Sequence, residues 1–179
     1  MNRTEIIVGG VGGQGVVLSG ILLGTAAAVF EEKKAVQTQS YSSELRGGAA
    51  RTEVIISNES ISDPQVRRAD ILVALAEEAL CRDIDLVKSG GLVIVDSDRT
   101  KGPAAGDYKI VQVPATSIAE KEMGDPIVAN LIVLGALIKN SPVVSVNAME
   151  KAIEATVPPK AKMLNIAAFR RGLEVKVQI

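Results

Sequence analysis

Apolar and polar positions along the chain predict short strands that alternate with helices. An apolar run over residues 5–9 ends in glycines, and the stretch that follows, Val16–Phe30, has the length and the Ala and Leu content of a helix. This order predicts a strand, a glycine-rich loop and a helix. Two further strands are expected at about residues 35–39 and 51–57, the second from its alternation of side-chain type.

The second half of the chain continues the alternation. Further strands are predicted over residues 71–75, 92–95 and 109–113, and helices over 76–89, 114–123, 125–139, 145–155 and 160–171. Gly90 and Gly91 are expected to stop the helix over 76–89. Such a pattern predicts one α/β domain over residues 1–179, with a Rossmann-like, doubly wound, mostly parallel sheet and helices on both faces.

The glycine loop carries the first candidate chemistry. Residues 10–15, GVGGQG, match G-x-G-x-x-G between a predicted strand and a predicted helix. In that context, backbone N–H groups and the helix N-terminus can face an anion or a partner. The glycines can equally serve only tight packing of strand against helix, and both interpretations stay open. Gln14 favours contact, because its amide can donate and accept hydrogen bonds.

Dinucleotide binding is disfavoured by the end of the second strand. A dinucleotide enzyme needs an Asp or Glu there to bond the ribose hydroxyls. Glu31 and Glu32 precede that strand, which ends in Gln39, Ser40 and Tyr41.

A second polar segment, residues 39–48 (QSYSSELRGG), is expected beside the loop. Arg46 offers a planar fork for a carboxylate or phosphate, and Gly47 with Gly48 would let the backbone approach a ligand or a neighbouring chain. Alternatively, Glu44 and Arg46 are ordinary exposed charges. In a later predicted helix, Asn130 needs a partner if it is buried, either within the fold or across a subunit interface.

Composition and charge remove several function classes. The chain has 20 basic and 21 acidic residues and 2% aromatic residues, which disfavours nucleic acid as a partner. It has no histidine, and one cysteine cannot hold an iron–sulfur cluster alone. Cys81 is interpreted as a small buried hydrophobe. No catalytic residue and no metal ligand is assigned, and Asp96 and Asp98 are interpreted as strand-end carboxylates.

Membrane association is also not expected. The longest apolar stretch, residues 127–138, is too short to span a bilayer, and residues 2–5 are polar, unlike a signal sequence. A cytoplasmic location is therefore predicted.

The two motifs together resemble the gamma subunit, or the equivalent domain, of thiamine-diphosphate-dependent 2-oxoacid:ferredoxin oxidoreductases. The resemblance rests on GVGGQGV at 10–16 and QSYSSELRGG at 39–48, and it extends over most of the chain, including residues 69–72 and 134–135. Ser42 stands where members commonly have glycine. The residues at 38–41 and 44–48 are most similar to the 2-oxoglutarate type, and less so to the pyruvate, branched-chain 2-oxoacid and indolepyruvate types.

This resemblance implies a role in a complex. The complex would decarboxylate a 2-oxoacid on thiamine diphosphate, pass electrons through iron–sulfur clusters to ferredoxin and transfer the acyl group to coenzyme A. The cofactors for these steps would be held mainly by alpha and beta subunits, with a delta subunit as a further candidate. The isolated chain is expected to be inactive, and whether it dimerises through its sheet edge or its helices stays open. The residues expected to support coenzyme A binding or the interface around the active site are Gly10, Gly12, Gly13, Gln14, Gly15, Ser40, Tyr41, Glu44, Arg46, Gly47, Gly48 and Asn130.

Two other functions remain as alternatives. One is a stand-alone nucleotide-binding oxidoreductase of the Rossmann type, which the G-x-G-x-x-G pattern favours. The other is a non-catalytic assembly module.

Overall fold

The computed structural model describes residues 3–41, 48–102 and 106–176, with the backbone alone for Tyr41. Within these ranges there are six strands: β1 (Arg3–Val11), β2 (Lys34–Tyr41), β3 (Ala49–Ser57), β4 (Ala69–Ala74), β5 (Val87–Asp96) and β6 (Tyr108–Val113). They form one sheet in the order β2-β3-β1-β4-β5-β6.

The sheet is mostly parallel, as predicted, with one strand reversed. β1, β4, β5 and β6 pair in parallel, whereas β3 pairs antiparallel with both β1 and β2. The connection from β2 to β3 covers only residues 42–48. A parallel return needs a crossover of about a dozen residues or more, so this short connection makes β3 antiparallel.

Helices cover both faces of the sheet, which confirms the predicted fold class. The helices are α1 (Val16–Phe30), α2 (Glu77–Asp83), α3 (Ala115–Ile118), α4 (Ala129–Asn140), α5 (Val146–Thr156) and α6 (Lys162–Glu174), with single 3₁₀ or π turns at Ile84–Leu86, Ala119–Met123, Pro126–Val128 and Pro159–Ala161. On one face, α1 packs on β1, β2 and β3, and α4 packs on β5; α5 packs against α1, and α6 against α4. On the other face, α2 packs against β1 and β4.

The helix predicted over residues 76–89 is wrong in its second half. α2 ends at Asp83, and β5 already begins at Val87. Ala69 pairs with Val87 and Ile71 pairs with Leu92, so β5 advances five residues while β4 advances two. The glycines that were expected to stop a helix lie in this bulge, where Gly90 has a φ of 73°.

Two apolar cores follow from the two covered faces. The larger includes Leu22 and Leu23 of α1 and Val8 of β1, and the smaller includes Ile7 of β1 and Leu80 of α2, all at most 2% exposed. Adjacent residues of β1 therefore pack into the cores on opposite faces of the sheet, as expected of a strand buried on both faces. In the described part of the chain, no helix has the length and the apolar composition needed to cross a bilayer.

Candidate functional site

The glycine loop lies at the switch point of the sheet. From β1 the chain crosses through α1 to β2, on one side, and from β4 it crosses through α2 to β5, on the other side. Between two such strands, outside their carboxyl ends, open α/β sheets form the crevice in which ligands bind. The loop over residues 12–15 follows β1 directly into this position.

The loop and the end of the second polar segment are hydrogen-bonded to each other. The Gly12 N–H donates to the Gly48 carbonyl at 2.9 Å. Because β3 is antiparallel, its start lies at the same edge as the ends of β1 and β2, with Ala50 paired to both Gly10 and Tyr41. The expected proximity of the two motifs therefore holds at Gly48, whereas Glu44, Arg46 and Gly47 lie outside the described residues.

The Gln14 amide is used within the protein. Its Oε1 accepts from the Val11 N–H at 2.8 Å, and its Nε2 donates to the Leu75 carbonyl at 2.9 Å. Both ends of the amide thus hold the loop against the end of β4. Contact between Gln14 and a ligand stays a prediction, and the contacts found explain why an amide is needed here.

Gly13 and Gly15 have the positive φ values that favour glycine, but different surroundings. Gly15, the N-cap residue of α1, has a φ of 72°, and a Cβ there would lie 2.5 Å from Asn130 Nδ2. Gly13 has a φ of 94°, and a Cβ there would meet nothing within 4 Å. Gly10 is close to Gln14, whose Oε1 would lie 2.5 Å from an added Cβ. The loop is thus packed closely at its two ends and open at Gly13.

Asn130 connects α4 to the start of α1. It is 2% exposed, and its Nδ2 donates to the Gly15 carbonyl at 3.2 Å and to Ser19 Oγ at 3.3 Å. Its Oδ1 is buried and has no hydrogen-bond partner among the described residues. The amide thus finds its acceptors within the fold and retains a buried oxygen that can accept one more hydrogen bond.

A cavity of about 270 Å³ opens beside the loop, at the carboxyl ends of β1, β4 and β5. Gly13, Gln14 and Asn130 line it together with three residues that the sequence did not single out for this role, Asp96, Arg99 and Thr116. Asp96 directly follows the strand predicted over 92–95, so the rule that ligands bind at the carboxyl ends of strands could have placed it here. Arg99 and Thr116 follow in loop and helix, where no sequence pattern marks them.

Asp96 is a buried carboxylate that joins β5 to the start of α3. Its Oδ2 accepts from Thr116 Oγ1 at 2.6 Å, and its Oδ1 accepts from the Asp98 N–H at 3.1 Å. Burial raises the pKa of Asp96 above its usual value, although these hydrogen bonds act in the opposite direction. Asp98 in turn accepts from the Ser117 N–H at 2.7 Å. Both carboxylates therefore hold the start of α3, in agreement with their interpretation as strand-end residues.

Ser40 lines a different groove from the glycine loop. It pairs with Arg51 on β3 and lies, with Arg51 and Arg67, along a groove of about 690 Å³. β3 separates β2 from β1, so the structure brings Gly48 to the glycine loop but leaves Ser40 one strand further out. The side chain of Tyr41 lies outside the described part of the chain.

An ion cluster underlies this edge of the sheet. Asp83, which is fully buried, contacts Arg82 at 2.7 Å and Arg51 at 3.2 Å. The cluster lies against Gly9, where an added Cβ would be 3.1 Å from the Arg82 guanidinium. Sequence reasoning missed this cluster because Arg51 is far in the chain from Arg82 and Asp83. The interpretation of Cys81 as buried is wrong: it lies on the exposed side of α2.

The chain is similar, over nearly its whole length, to subunits of several 2-oxoacid oxidoreductases. The 2-oxoglutarate synthase subunit KorC of Methanocaldococcus jannaschii is 45% identical, covering 99% of this chain and 96% of that protein. The common gamma subunit of the pyruvate/ketoisovalerate oxidoreductases of Thermococcus litoralis is 32% identical, covering 97% of both. The crystal structure of a keto/oxoacid ferredoxin oxidoreductase gamma subunit from Geobacter sulfurreducens superimposes with a TM-score of 0.88 at 38% identity, covering 97% of this chain and 96% of that one.

The family model for pyruvate ferredoxin/flavodoxin oxidoreductase matches residues 5–175. That range includes the glycine loop, the segment over residues 39–48 and Asn130. The resemblance of the two motifs is thereby confirmed, and the chain belongs to the pyruvate ferredoxin/flavodoxin oxidoreductase family.

Proposed function

We propose that this chain is the gamma subunit of a 2-oxoglutarate:ferredoxin oxidoreductase complex, in which it helps to bind coenzyme A beside an active site held mainly by other subunits. We favour 2-oxoglutarate as the substrate because the chain is 45% identical to a 2-oxoglutarate synthase subunit. It is only 32% identical to the gamma subunit shared by pyruvate and ketoisovalerate oxidoreductases. The partners would be alpha and beta subunits, with a delta subunit as a further candidate.

We assign the redox chemistry to the alpha and beta subunits, and to any delta subunit, because of the amino-acid composition of this chain. Iron–sulfur clusters are normally held by about four cysteine thiolates. These 179 residues contain one cysteine and no histidine, so they cannot supply a ligand set for a cluster. Thiamine diphosphate and the clusters would therefore lie on the other subunits, and ferredoxin would receive electrons from the complex.

The hydrogen bond between Gly12 and Gly48 is the observation that carries the binding proposal. It joins the glycine loop to the segment that contains Arg46, two residues before Gly48. A helix N-terminus and a guanidinium are both suited to phosphate groups, which coenzyme A carries. The open side of the loop at Gly13 and the adjacent cavity leave room for a ligand to approach.

The same geometry disfavours a stand-alone dinucleotide enzyme. In the Rossmann arrangement, the strand next to β1 runs parallel to it and ends in the acid that bonds the ribose. Here the neighbour on that side is β3, which runs in the opposite direction, and Ala50 is the residue paired with Gly10. The fold is also compatible with a non-catalytic assembly module. The measurement of the Michaelis constant for coenzyme A, described next, distinguishes such a module from a subunit that helps to bind coenzyme A.

The proposed function can be tested by reconstituting the complex from this chain and its alpha and beta subunits. We expect a complex that contains thiamine and iron, and that reduces ferredoxin faster with 2-oxoglutarate than with pyruvate. Arg46→Ala should raise the Michaelis constant for coenzyme A by at least about tenfold, since a charged hydrogen bond contributes about 1.5–3 kcal/mol. Arg170→Ala is the matched control, because Arg170 lies on α6, away from both motifs, and is 62% exposed. If Arg46→Ala changes neither assembly nor this constant, the binding proposal is wrong.

A further inference from the structure

The outer side of α1 is apolar although it faces solvent. α1 contains no charged residue, yet Ile21 is 38% exposed and Val29 is 65% exposed. Val17, Ile21, Gly24 and Ala28 recur at intervals of four, three and four residues, the spacing at which one helix packs along another. A Cβ at Gly24 would meet nothing within 4 Å, so packing within the chain does not require glycine there.

This helix face continues into the open edge of the sheet. β2 is the outermost strand, and no strand pairs on its outer side in residues 3–41, 48–102 and 106–176. Gly24, Thr25 and Ala28 of α1 line one shallow groove with Ala35 and Gln37 of β2. The helix face and the strand edge thus form one surface.

The strand edge has few of the features that normally prevent pairing. Exposed edges are usually protected by charges, prolines, bulges or short length. β2 has eight residues, its register with β3 is unbroken, and after Lys34 it contains neither a charge nor a proline. The opposite edge strand, β6, is shorter, carries Lys109 and is followed by Pro114.

We infer that this surface is a dimer interface occupied by a second copy of the chain, with β2 pairing antiparallel to β2 of the copy and α1 packing against its α1. A twofold axis perpendicular to the sheet places both α1 helices on the same face and makes each surface its own complement. Gly24 and Ala28 allow the two helices to approach to about 8–10 Å.

Charge distribution favours a second copy as the occupant. Neither α1 nor β2 beyond Lys34 brings a charge that would repel or require an opposite charge on the partner. In an antiparallel pair of eight-residue strands, the two Lys34 side chains lie at opposite ends, roughly 24 Å apart at about 3.4 Å per residue. The surface is therefore compatible with itself without any complementary charged partner.

The first test measures the mass of the purified full-length chain at micromolar concentration by sedimentation equilibrium. We expect twice the 18.7 kDa of the chain. Ile21→Lys should raise the dimer dissociation constant by on the order of a hundredfold, because it buries an unpaired charge. Met163→Lys, at an 85% exposed position on α6, should leave the dimer intact. Circular dichroism melting confirms that each variant is folded.

A second variant keeps the test decisive if Ile21→Lys fails to fold. Ile21 follows Gly20, which lies next to Gln37 at the middle of β2, so it is expected near the twofold axis. In a Cys81→Ser background, Ile21→Cys should give a covalent dimer with a short bis-maleimide, and Met163→Cys should not.

A monomeric wild-type chain that Ile21→Cys does not cross-link would overturn the proposal. A monomeric chain in which Ile21→Lys abolishes assembly with the alpha and beta subunits would overturn it as well, since the surface would then belong to another subunit. Both results are independent of coenzyme A binding.

Discussion

The Gln14 side chain donates to the Leu75 carbonyl at 2.9 Å and thereby connects the loop after β1 to the end of β4. The same amide accepts from the Val11 N–H at 2.8 Å. One side chain therefore fixes the glycine loop across the switch point of the sheet, where a ligand is expected. These two hydrogen bonds restrict the conformations open to the loop, and such restriction lowers the entropy that binding must overcome.

Replacing Gln14 with methionine should destabilise the chain by about 1–3 kcal/mol, the cost of leaving backbone polar groups unpaired. Methionine keeps nearly the same volume but can bond neither Val11 nor Leu75. The free energy of unfolding in urea measures the loss, and Gln65→Met is the control because Gln65 is exposed. Equal stability of the Gln14→Met variant and the wild type would show that the amide does not hold the loop.

Alanine at Gly15 and at Gly13 should have unequal effects. Gly13→Ala introduces only the backbone strain of a positive φ, about 1–2 kcal/mol. Gly15→Ala adds a contact of 2.5 Å with Asn130, so its loss of unfolding free energy should be larger by at least about 1 kcal/mol. Thermal or urea unfolding of the two variants gives the comparison, and similar values for both would argue against close packing at Gly15.

The fold was largely predictable because most elements depend on local patterns. α1 was predicted with its observed bounds, and the order of strands and helices established the fold class. The antiparallel direction of β3 was not predicted, because it depends on the length of a connection rather than on side-chain pattern. The bulge in β5 is not distinguishable from a helix end in the sequence, because both a helix end and a bulge use glycine at a positive φ such as that of Gly90.

The site was predictable only where a motif marked it. The glycine loop and Asn130 were identified, and the structure places them in contact at Gly15. Asp83 and Arg51 form an ion pair although they lie 32 positions apart (83 minus 51), and a single sequence carries no signal for such a contact. Arg46 lies outside the described residues, so its role rests on the proposed function.

Asp83→Asn should destabilise the chain by about 3 kcal/mol. Asp83 is fully buried, and removing its charge leaves the Arg51 and Arg82 guanidinium groups close together without this counter-ion. Asp63→Asn is the matched control: Asp63 is 45% exposed and lies 3.4 Å from Arg67, so its change should stay within about 1 kcal/mol. Urea unfolding at neutral pH tests both, and a small loss for Asp83→Asn would contradict a stabilising role of the cluster.

Asp96 should make stability depend on pH in a direction opposite to that of an ordinary ion-paired carboxylate. Burial raises its pKa in the folded state, so the folded chain holds this proton more tightly than the unfolded chain does. The loss of folding stability caused by burying the ionised Asp96 carboxylate is absent below the pKa of the unfolded chain, about 3.9. It develops as the pH rises towards the raised pKa of the folded chain, and it persists at neutral pH.

Asp96→Asn removes this dependence and keeps an oxygen for the Asp98 and Thr116 N–H groups. The unfolding free energy of Asp96→Asn minus that of the wild type should therefore increase from about pH 4 upwards and then become constant. Urea unfolding across this range measures the difference, and Asp85→Asn, at an exposed carboxylate, controls for the change in net charge. A difference that falls as the pH rises would mean that the hydrogen bonds to Asp96 outweigh its burial.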